Sequence, residues 1–382
     1  MLRRLYVDNY KSLVNFDLEL KPLALLMGPN GSGKSSVFEV VGLLRDFATG
    51  EGNVEDLFCT SSLTRWQSSD VQTFELVVDD SEEEGASFGY KLEIQHERVR
   101  RMCRIMSERL IHNGKPLYES RLDGPELKAT LYRDNYTAGP EVLVDWSRSG
   151  VASLQPRPDN RKLTRFKSRM RQIFVIRIDP FRMSARSEKE SATLSLDSTN
   201  FASWFRHITQ SDLALFSRLA PLLQEALPGF DSIRLIPDGQ DARLLLVRFK
   251  IGTADGHGRG DPPEYQFDEI SEGQRVLILL YSVLAAFAES RQPYTLCLDE
   301  PDNFVALREI QPWLHGVMES VETSSCQSLL ISHHPELINE LATSHGLWLE
   351  RTGGGATRAT PVADDQTGLA PAELVARGWL NA

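Results

Sequence analysis

The sequence has few cysteines, and no two of them are closely spaced. They are Cys59, Cys103, Cys297 and Cys326, and they form no Cys-x-x-Cys pair. This spacing argues against a zinc site and against a disulfide framework. It is typical of a protein in a reducing compartment, so we expect a cytoplasmic location.

Positive charge is scarce as well. The chain carries 42 basic and 53 acidic residues, which gives a formal net charge of −11. A protein with this balance is not a general cationic coat for nucleic acid. Any contact with DNA must therefore come from a local patch.

Long apolar runs are absent. The N-terminal residues 1–8 lack the apolar core of a signal peptide. The longest apolar run, residues 276–288, is too short to cross a bilayer, which takes roughly 20 residues in a helix. No internal repeat or sustained heptad pattern is visible. We therefore expect a globular protein with more than one lobe and no membrane partner.

Residues 25–36 are the most informative stretch of the chain. An apolar run leads into the pattern Gly-x4-Gly-Lys-Ser, and a helix-like segment follows at residues 37–47. This context predicts a phosphate-binding loop, whose backbone N–H groups and helix start surround a triphosphate. We expect Lys34 to reach the β- and γ-phosphates and Ser35 to hold Mg²⁺. The residues predicted to bind the nucleotide are Asn30, Gly31, Ser32, Gly33, Lys34, Ser35 and Ser36.

A second apolar strand ends in two carboxylates, Asp299 and Glu300. A buried acidic pair is costly unless a cation or a reaction requires it. We expect Asp299 to hold Mg²⁺ and Glu300 to accept a proton from the attacking water. The alternative is a pair of carboxylates on a surface turn.

Two further motifs flank this strand. Ser271, Gly273 and Gln274 precede an apolar helix, and such a helix start can recognise an anion, although it can also be an ordinary helix cap. Downstream, a buried strand ends at His333 and His334. A histidine in such a place is more often a satisfied core or turn residue.

The rest of the chain suggests four segments. Residues 1–150 form a first ATPase lobe, with alternating strands between about 70 and 145 that indicate an antiparallel meander. Residues 151–262 form a basic and helical insertion that we expect to be an arm or lid. Residues 263–350 form the second lobe, and residues 351–382 a tail with a short helix. Within the insertion, residues 157–171 contain seven basic side chains, which indicate either a DNA contact or a solvated helix face.

Four motifs occur in an order that resembles the ABC-type ATPases of the RecF, SMC and OLD-nuclease group. They are the phosphate loop, Ser271-Glu272-Gly273-Gln274, Asp299-Glu300 and His333-His334-Pro335. The opening segment, residues 9–12, is also similar to that group. The resemblance implies an α/β P-loop fold with a mixed parallel core sheet and an antiparallel meander. The helical and basic insertion lies between the phosphate loop (Walker A) and the signature motif. ATP and Mg²⁺ are the cofactors that it implies.

The same resemblance implies a head-to-head homodimer that holds two ATP molecules between its subunits. Ser271, Gly273 and Gln274 of one subunit would cap the γ-phosphate bound by the other. Glu300 would be the catalytic base and His333 the switch residue that senses the γ-phosphate.

The resemblance extends to the turn after the acidic pair, because Asp302 and Asn303 match the group's dimer-contact loop. Two features depart from the group, namely Glu272 in the signature motif and the lack of a clear glutamine loop. Weak candidates for that loop are Gln67, Gln72 and the turn at residues 178–180.

The function that follows is an ATP-driven switch that gates a partner, as in prokaryotic anti-phage defence. The tail shows no run of acidic motifs for a nuclease domain, so the effector, a nuclease or toxin, would be a separate polypeptide. An alternative is a DNA repair or chromosome-maintenance ATPase that acts on DNA through residues 157–171. Two others are a scaffold that hydrolyses ATP poorly and a nucleotide-binding subunit of a transporter. The long interval between Ser35 and Ser271 disfavours the transporter.

Overall fold

The computed structural model describes residues 1–250, 263–288, 293–323, 326–362 and 368–378. Its strands are β1 (Leu2–Asp8), β2 (Phe16–Glu19), β3 (Leu23–Met27), β4 (Val71–Asp79), β5 (Ser87–Glu97), β6 (Met102–His112), β7 (Lys115–Asp123), β8 (Glu126–Tyr132), β9 (Ala138–Val144), β10 (Ile173–Arg177), β11 (Arg186–Ser187), β12 (Phe230–Pro237), β13 (Arg243–Phe249), β14 (Glu264–Gln266), β15 (Thr295–Asp299), β16 (Gln327–Ile331), β17 (Gly346–Arg351) and β18 (Thr357–Pro361). Its α-helices are α1 (Lys34–Thr49), α2 (Val54–Leu57), α3 (Gly150–Ser153), α4 (Arg161–Arg171), α5 (Phe201–Ser211), α6 (Leu215–Ala226), α7 (Glu272–Phe287), α8 (Leu307–Thr323), α9 (Pro335–His345) and α10 (Pro371–Arg377).

The central sheet has the strand order β10-β15-β16-β3-β17-β18 and is parallel except for β18. Strands β3, β15 and β16 are buried along their whole length, as expected when helices cover both faces of a parallel sheet. Their side chains alternate between two cores. Leu23 and Leu25 join the core with α7, α8 and α9, whereas Ala24 and Leu26 join the core with α1. The carboxyl ends of these strands therefore meet at one edge of the sheet.

The second sheet is antiparallel and has the order β2-β1-β4-β5-β6-β7-β8-β9. The predicted meander between residues 70 and 145 is thus confirmed, and β1 and β2 extend it. The hairpin between β6 and β7 turns at Asn113 and Gly114, which both have positive φ. Both residues tolerate this conformation, as the Asn-Gly pair in the sequence indicates.

Helices α5 and α6 differ from the expected arm or lid. Their apolar faces, including Phe201, Trp204 and Leu219, are buried in the same core as α7. The insertion also contains a small sheet of β11, β13 and β12, with β14 paired to β13. Because these helices share a core with the second lobe, they support the helix that carries the signature motif. The glycines, aspartates and prolines of residues 252–263 predict a loop, and most of that stretch lies outside the described residues.

The last described helix, α10, lies against the second lobe. Helix α10 packs against α9, and the backbone N–H of Ala372 donates to Asn339 Oδ1 at 3.0 Å. The short helix predicted in the tail is therefore confirmed. Among the residues that the structure describes, no helix combines the length and the apolar character that crossing a membrane requires.

Candidate functional site

The phosphate loop connects the carboxyl end of β3 to the start of α1 and is tightly packed. Gly28 has a φ of 141°, and an added Cβ would lie 2.0 Å from the carbonyl oxygen of Leu349. At Gly33, where φ is 102°, it would lie 2.7 Å from Thr357 Oγ1. Only glycine fits these positions, because a side chain would collide with backbone or with a buried hydroxyl. Helix α1 begins at Lys34 directly after the loop.

The side chain of Lys34 folds back over the loop. Its Nζ donates to the carbonyl oxygens of Gly28 at 2.8 Å and Pro29 at 3.1 Å. Burial lowers the pKa of Lys34, and the nearby carboxylates of Glu300 and Asp299 partly offset this effect. The ammonium thus lies between the loop and the acidic pair, where it can exchange its carbonyl contacts for phosphate oxygens.

Asp299 ends β15 at the same sheet edge and is buried. Its Oδ1 has no hydrogen-bond partner among the described residues. Burial raises the pKa of Asp299, and an interaction with the Ser35 hydroxyl offsets part of the rise. Ser32 Oγ in the phosphate loop is also buried and finds no partner in the described part of the chain. Buried polar atoms without partners are rare, and carboxylate and hydroxyl oxygens suit Mg²⁺. The residues present therefore fit a triphosphate with its magnesium ion.

Glu300 adopts a left-handed backbone conformation, with a φ of 53°. Its backbone N–H donates to the carbonyl of Ile331 at 2.9 Å, which joins the turn to the end of β16. Its carboxylate accepts a hydrogen bond from Asn303 Nδ2 at 2.6 Å. Positive φ at a residue other than glycine is uncommon and costs energy. Here the positive φ of Glu300 turns the chain at the end of β15, directly after Asp299.

The two histidines after β16 have different surroundings. His334 precedes α9 and caps it, because its Nδ1 accepts from the backbone N–H of Glu336 at 3.2 Å. His333 lies beside the acidic pair and Lys34. Burial lowers the pKa of His333, the charge of Lys34 lowers it further, and Glu300 opposes both effects. His333 is therefore near the predicted phosphate position, whereas His334 serves the helix.

The signature motif begins α7. Ser271 caps this helix: Gln274 N donates to Ser271 Oγ at 3.4 Å, and Ser271 N donates to Gln274 Oε1 at 3.1 Å. The ordinary helix cap is therefore present, and it leaves the start of the helix at the surface. At Gly273 an added Cβ would lie 2.7 Å from the carbonyl oxygen of Phe304. The signature motif thus packs directly on the turn that begins at Glu300.

Two of the three candidates for a glutamine loop make other contacts. Gln72 is fully buried, and its Nε2 donates to Asn9 O at 3.0 Å and to Ser62 Oγ at 3.1 Å. Its Oε1 pairs with His96 Nε2 at 2.9 Å. In the turn at residues 178–180, the carbonyl of Pro180 accepts from Arg275 at 2.7 Å. The amide of Gln72 is therefore engaged inside the protein and is not directed at a magnesium ion.

The basic segment is largely engaged within the protein. Four of its cations make internal contacts: Lys162 with Tyr136, Arg165 with Asp80, Lys167 with the carbonyls of residues 152 and 154, and Arg169 with Thr295. Arg157, Arg161 and Arg171 are exposed. The segment therefore offers much less free charge than its sequence suggests.

Two contacts of the site are not evident from the sequence. Asn303, which the resemblance places in a dimer-contact loop, also holds the Glu300 carboxylate. Arg351 lies 320 positions from the phosphate loop, and its Nη1 donates to Gly31 O at 3.4 Å. Nothing in the local pattern around Arg351 could indicate this contact, because it depends on β17 lying next to β3.

The fold is similar to that of SMC head domains. An SMC head bound to the C-terminal winged-helix domain of ScpA matches with a TM-score of 0.56 at 13% identity, over 94% of this chain and 97% of that one. The SMC head of Pyrococcus furiosus with the ScpA C-terminal domain gives 0.54 at 12%, over 94% and 95%. The SMC head of Pyrococcus yayanosii with a coiled coil and joint gives 0.52 at 10%, over 99% of both chains. The expected ABC-type ATPase fold is confirmed.

Two sequence comparisons agree with this fold. A segment of 44 residues is 43% identical to the OLD nuclease of Thermus scotoductus, and it spans 12% of this chain and only 8% of that nuclease. Residues 23–339 match the family model described as "AAA domain, putative AbiEii toxin, Type IV TA system". The fold is thus that of an SMC-like ABC-type head, and because the family model covers most of its length, the chain belongs to the AAA-domain family of that description.

Proposed function

We propose that the chain is an ATP-driven switch, which closes as a homodimer around two magnesium-bound ATP molecules and thereby gates a separate effector. The observation that carries the proposal is the buried carboxylate of Asp299, whose Oδ1 lacks a partner among the described residues although Ser35, Lys34 and Glu300 lie nearby. Such an arrangement is costly unless a cation and a triphosphate complete it.

The residues of the site have distinct parts in this cycle. Lys34 exchanges the carbonyls of Gly28 and Pro29 for phosphate oxygens. Ser35 and Asp299 would hold Mg²⁺, which when bound neutralises charge on the phosphates. Glu300 accepts the proton of the attacking water, since its carboxylate follows directly after Asp299. His333, beside Lys34 and Glu300, responds to the presence of the γ-phosphate.

A second copy of the chain would complete the pocket. Ser271, Gly273 and Gln274 begin a helix at the surface, and a helix start attracts anions. Gly273 also packs on Phe304, in the turn that carries Glu300. If the phosphates bound by the other subunit dock at this helix start, the turn that carries Glu300 in the same subunit as the helix would therefore shift. The family description, which names a toxin–antitoxin system, supports a role in defence.

Glu300→Gln tests the switch. The amide cannot accept the proton but has the same shape, so ATP binding should continue while turnover stops. We expect the variant with ATP and Mg²⁺ to sediment as a dimer, and with ADP as a monomer. Glu340→Gln, on the exposed side of α9, is the matched control and should turn over normally. A Glu300→Gln protein that hydrolyses ATP at the normal rate would remove Glu300 from this role.

The second candidate function is a direct action on DNA. The exposed Arg157, Arg161 and Arg171 are the observation in its favour. If they bind phosphates, reversing their charge should weaken DNA binding and reduce the slope of its salt dependence by about one for each arginine that no longer binds a phosphate. DNA binding that is absent at low salt, or unaffected by the reversal, favours an effector protein as the partner.

A further inference from the structure

The phosphate loop has an aromatic neighbour that the mechanism above does not use. Trp66 is 51% exposed, although tryptophan is a large apolar side chain. The guanidinium carbon of Arg351 lies 5.3 Å from the centre of its ring. Arg351 also donates to Gly31 O in the phosphate loop, so this arginine connects the exposed ring of Trp66 to the loop. The ring therefore lies beside the loop with much of its surface free.

Arg351 is itself held firmly. Its Nε donates to Gly355 O at 2.8 Å, its Nη2 to Gly354 O at 2.5 Å and its Nη1 to Gly31 O at 3.4 Å. Carbonyl contacts on three sides fix the plane of the guanidinium. A fixed cation next to an aromatic ring holds the ring by a cation–π interaction. Arg351 thus ties the position of Trp66 to that of the phosphate loop.

The segment that carries Trp66 is also fixed by hydrogen bonds. Asn9 Nδ2 donates to Ser69 O at 2.8 Å, and Asn9 Oδ1 accepts from Thr64 N at 3.2 Å. Arg98 Nη2 donates to Gln67 O at 3.0 Å. These contacts lie on both sides of Trp66 in the sequence. The ring is therefore held in place before any ligand arrives, which lowers the entropy cost of binding.

The layout of the site determines which part of a nucleotide could reach this ring. Asp299, Glu300 and His333 lie around Lys34 and mark the end where the γ-phosphate and magnesium belong. A nucleotide with its γ-phosphate there must direct its nucleoside away from these residues. Arg351 contacts Gly31 in the loop. A Cβ added at Gly31 would meet no atom of the described residues within 4 Å, so the loop is open at that point.

From these observations we propose that Trp66, held by Arg351, is the platform on which the base of the bound nucleotide stacks. The inference rests on the proposed function, since it needs a triphosphate in the loop. Stacking on an aromatic face recognises any base through its π-surface. The site would therefore take nucleoside triphosphates with little preference among their bases.

The test compares a ligand that carries a base with one that lacks the nucleoside. Dissociation constants are measured by calorimetry, with Mg²⁺, for a non-hydrolysable ATP analogue and for inorganic tripolyphosphate. Trp66→Ala should weaken binding of the analogue roughly 5- to 100-fold, the range that loss of one stacked base gives. Tripolyphosphate, which has no base, should bind as before. Trp66→Phe keeps an aromatic face and should restore most of the affinity.

Phe216→Ala is the matched control, because Phe216 is a partly exposed aromatic on α6 and should change neither affinity. An unchanged affinity of Trp66→Ala for the analogue overturns the platform while leaving the switch intact. An equal loss for analogue and tripolyphosphate also overturns it, because the ring would then only support the loop. If the unaltered protein binds neither ligand, the proposed function fails, and the platform with it.

Discussion

Asn303 Nδ2 donates a hydrogen bond to Glu300 Oε2 at 2.6 Å, and Asn303 N donates to Glu300 O at 3.2 Å. The two residues thus close a single turn after β15, in which Glu300 has a φ of 53°. The side-chain bond fixes one oxygen of the carboxylate. In the proposed cycle the other oxygen would receive the proton, which would make Asn303 a positioning residue for the base.

Asn303→Ala should slow ATP hydrolysis and leave ATP binding nearly unchanged. A hydrogen bond to a charged group contributes about 1.5–3 kcal/mol when fully desolvated, and this one is exposed. We therefore expect turnover to fall about tenfold, since 1.4 kcal/mol corresponds to a factor of about ten. Steady-state turnover and the dissociation constant for ATP are the two measurements. A parallel loss of both would mean that Asn303 supports the loop and does not orient the base.

Asp299→Asn should stabilise the nucleotide-free protein while abolishing its magnesium-dependent turnover. Burial raises the pKa of Asp299, so the folded state holds a proton more tightly than the unfolded state does. The buried charge therefore destabilises the folded protein progressively as the pH rises from the ordinary aspartate pKa to the raised pKa of Asp299. Above the raised pKa the destabilisation is complete. The amide never incurs this cost. Near neutral pH we expect the melting temperature to rise by roughly 2 °C.

Asp241→Asn is the control for this change, because Asp241 is exposed on the surface and should shift neither quantity. Magnesium with ATP should raise the melting temperature of the unaltered protein and of Asp241→Asn, but much less that of Asp299→Asn. An Asp299→Asn protein that is less stable in the absence of nucleotide would contradict the account of a destabilising buried charge.

Much of this site could be predicted from the sequence because its motifs are local. The strand, glycine turn and helix of the phosphate loop occupy consecutive positions, and so do Asp299 and Glu300 at the end of β15. The residues of each motif favour one local backbone conformation, so the sequence alone indicates it. Parallel strands with continuous apolar character, such as β3, β15 and β16, then bring their carboxyl ends together.

The remaining features depend on contacts between distant segments. The basic run at residues 157–171 has the composition of a surface, yet Arg169 reaches Thr295 and Lys167 reaches the carbonyls of residues 152 and 154. Charge in a sequence does not show whether its partner is water or protein. The sequence predicts that α5 and α6 form an arm or lid, but their aromatic residues pack in the core that contains α7. Which apolar faces meet is decided by packing and not by periodicity.

Gly273→Ala should impair turnover without weakening ATP binding to the phosphate loop. The added Cβ would lie 2.7 Å from the carbonyl oxygen of Phe304. Backbone cannot move aside as a flexible side chain can, so the turn from Glu300 to Phe304 must shift. Such overpacking costs about 1–3 kcal/mol of stability. Denaturant unfolding and ATP turnover measure the two effects.

Gly42→Ala on α1 is the matched control for a glycine-to-alanine change. Its Cβ would meet Val175 at an ordinary contact distance of 3.7 Å, and alanine favours a helix interior over glycine by about 0.5–1 kcal/mol. The control should be neutral or stabilising. If Gly273→Ala behaves like Gly42→Ala, the packing of the signature motif on the turn has no influence on catalysis.

The buried histidine His96 should make the protein sensitive to acid. Burial lowers the pKa of His96 to about 4, and the charge of Arg98 adds to the effect. Between the ordinary imidazole pKa and pH 4, the unfolded chain binds a proton that the folded chain does not. The neutral His96 therefore contributes fully to stability above about pH 6.5, and this contribution is lost as the pH falls towards 4. Because Gln72 Oε1 accepts from His96 Nε2, the added proton goes to Nδ1, which lies 3.3 Å from Thr60 Oγ1. Gln72 in turn contacts Asn9 and Ser62.

His96→Gln removes this proton and should flatten the pH dependence of unfolding. We expect the loss of unfolding free energy between about pH 7.5 and about pH 4.5 to be smaller in the variant by roughly 2 kcal/mol. The comparison is His315→Gln, which removes a histidine at an exposed position on α8. Because Asn9 also fixes the segment of Trp66, acid should loosen that segment first, and limited proteolysis between residues 60 and 70 would detect it. Equal pH profiles for both variants would show that His96 is not the group responsible.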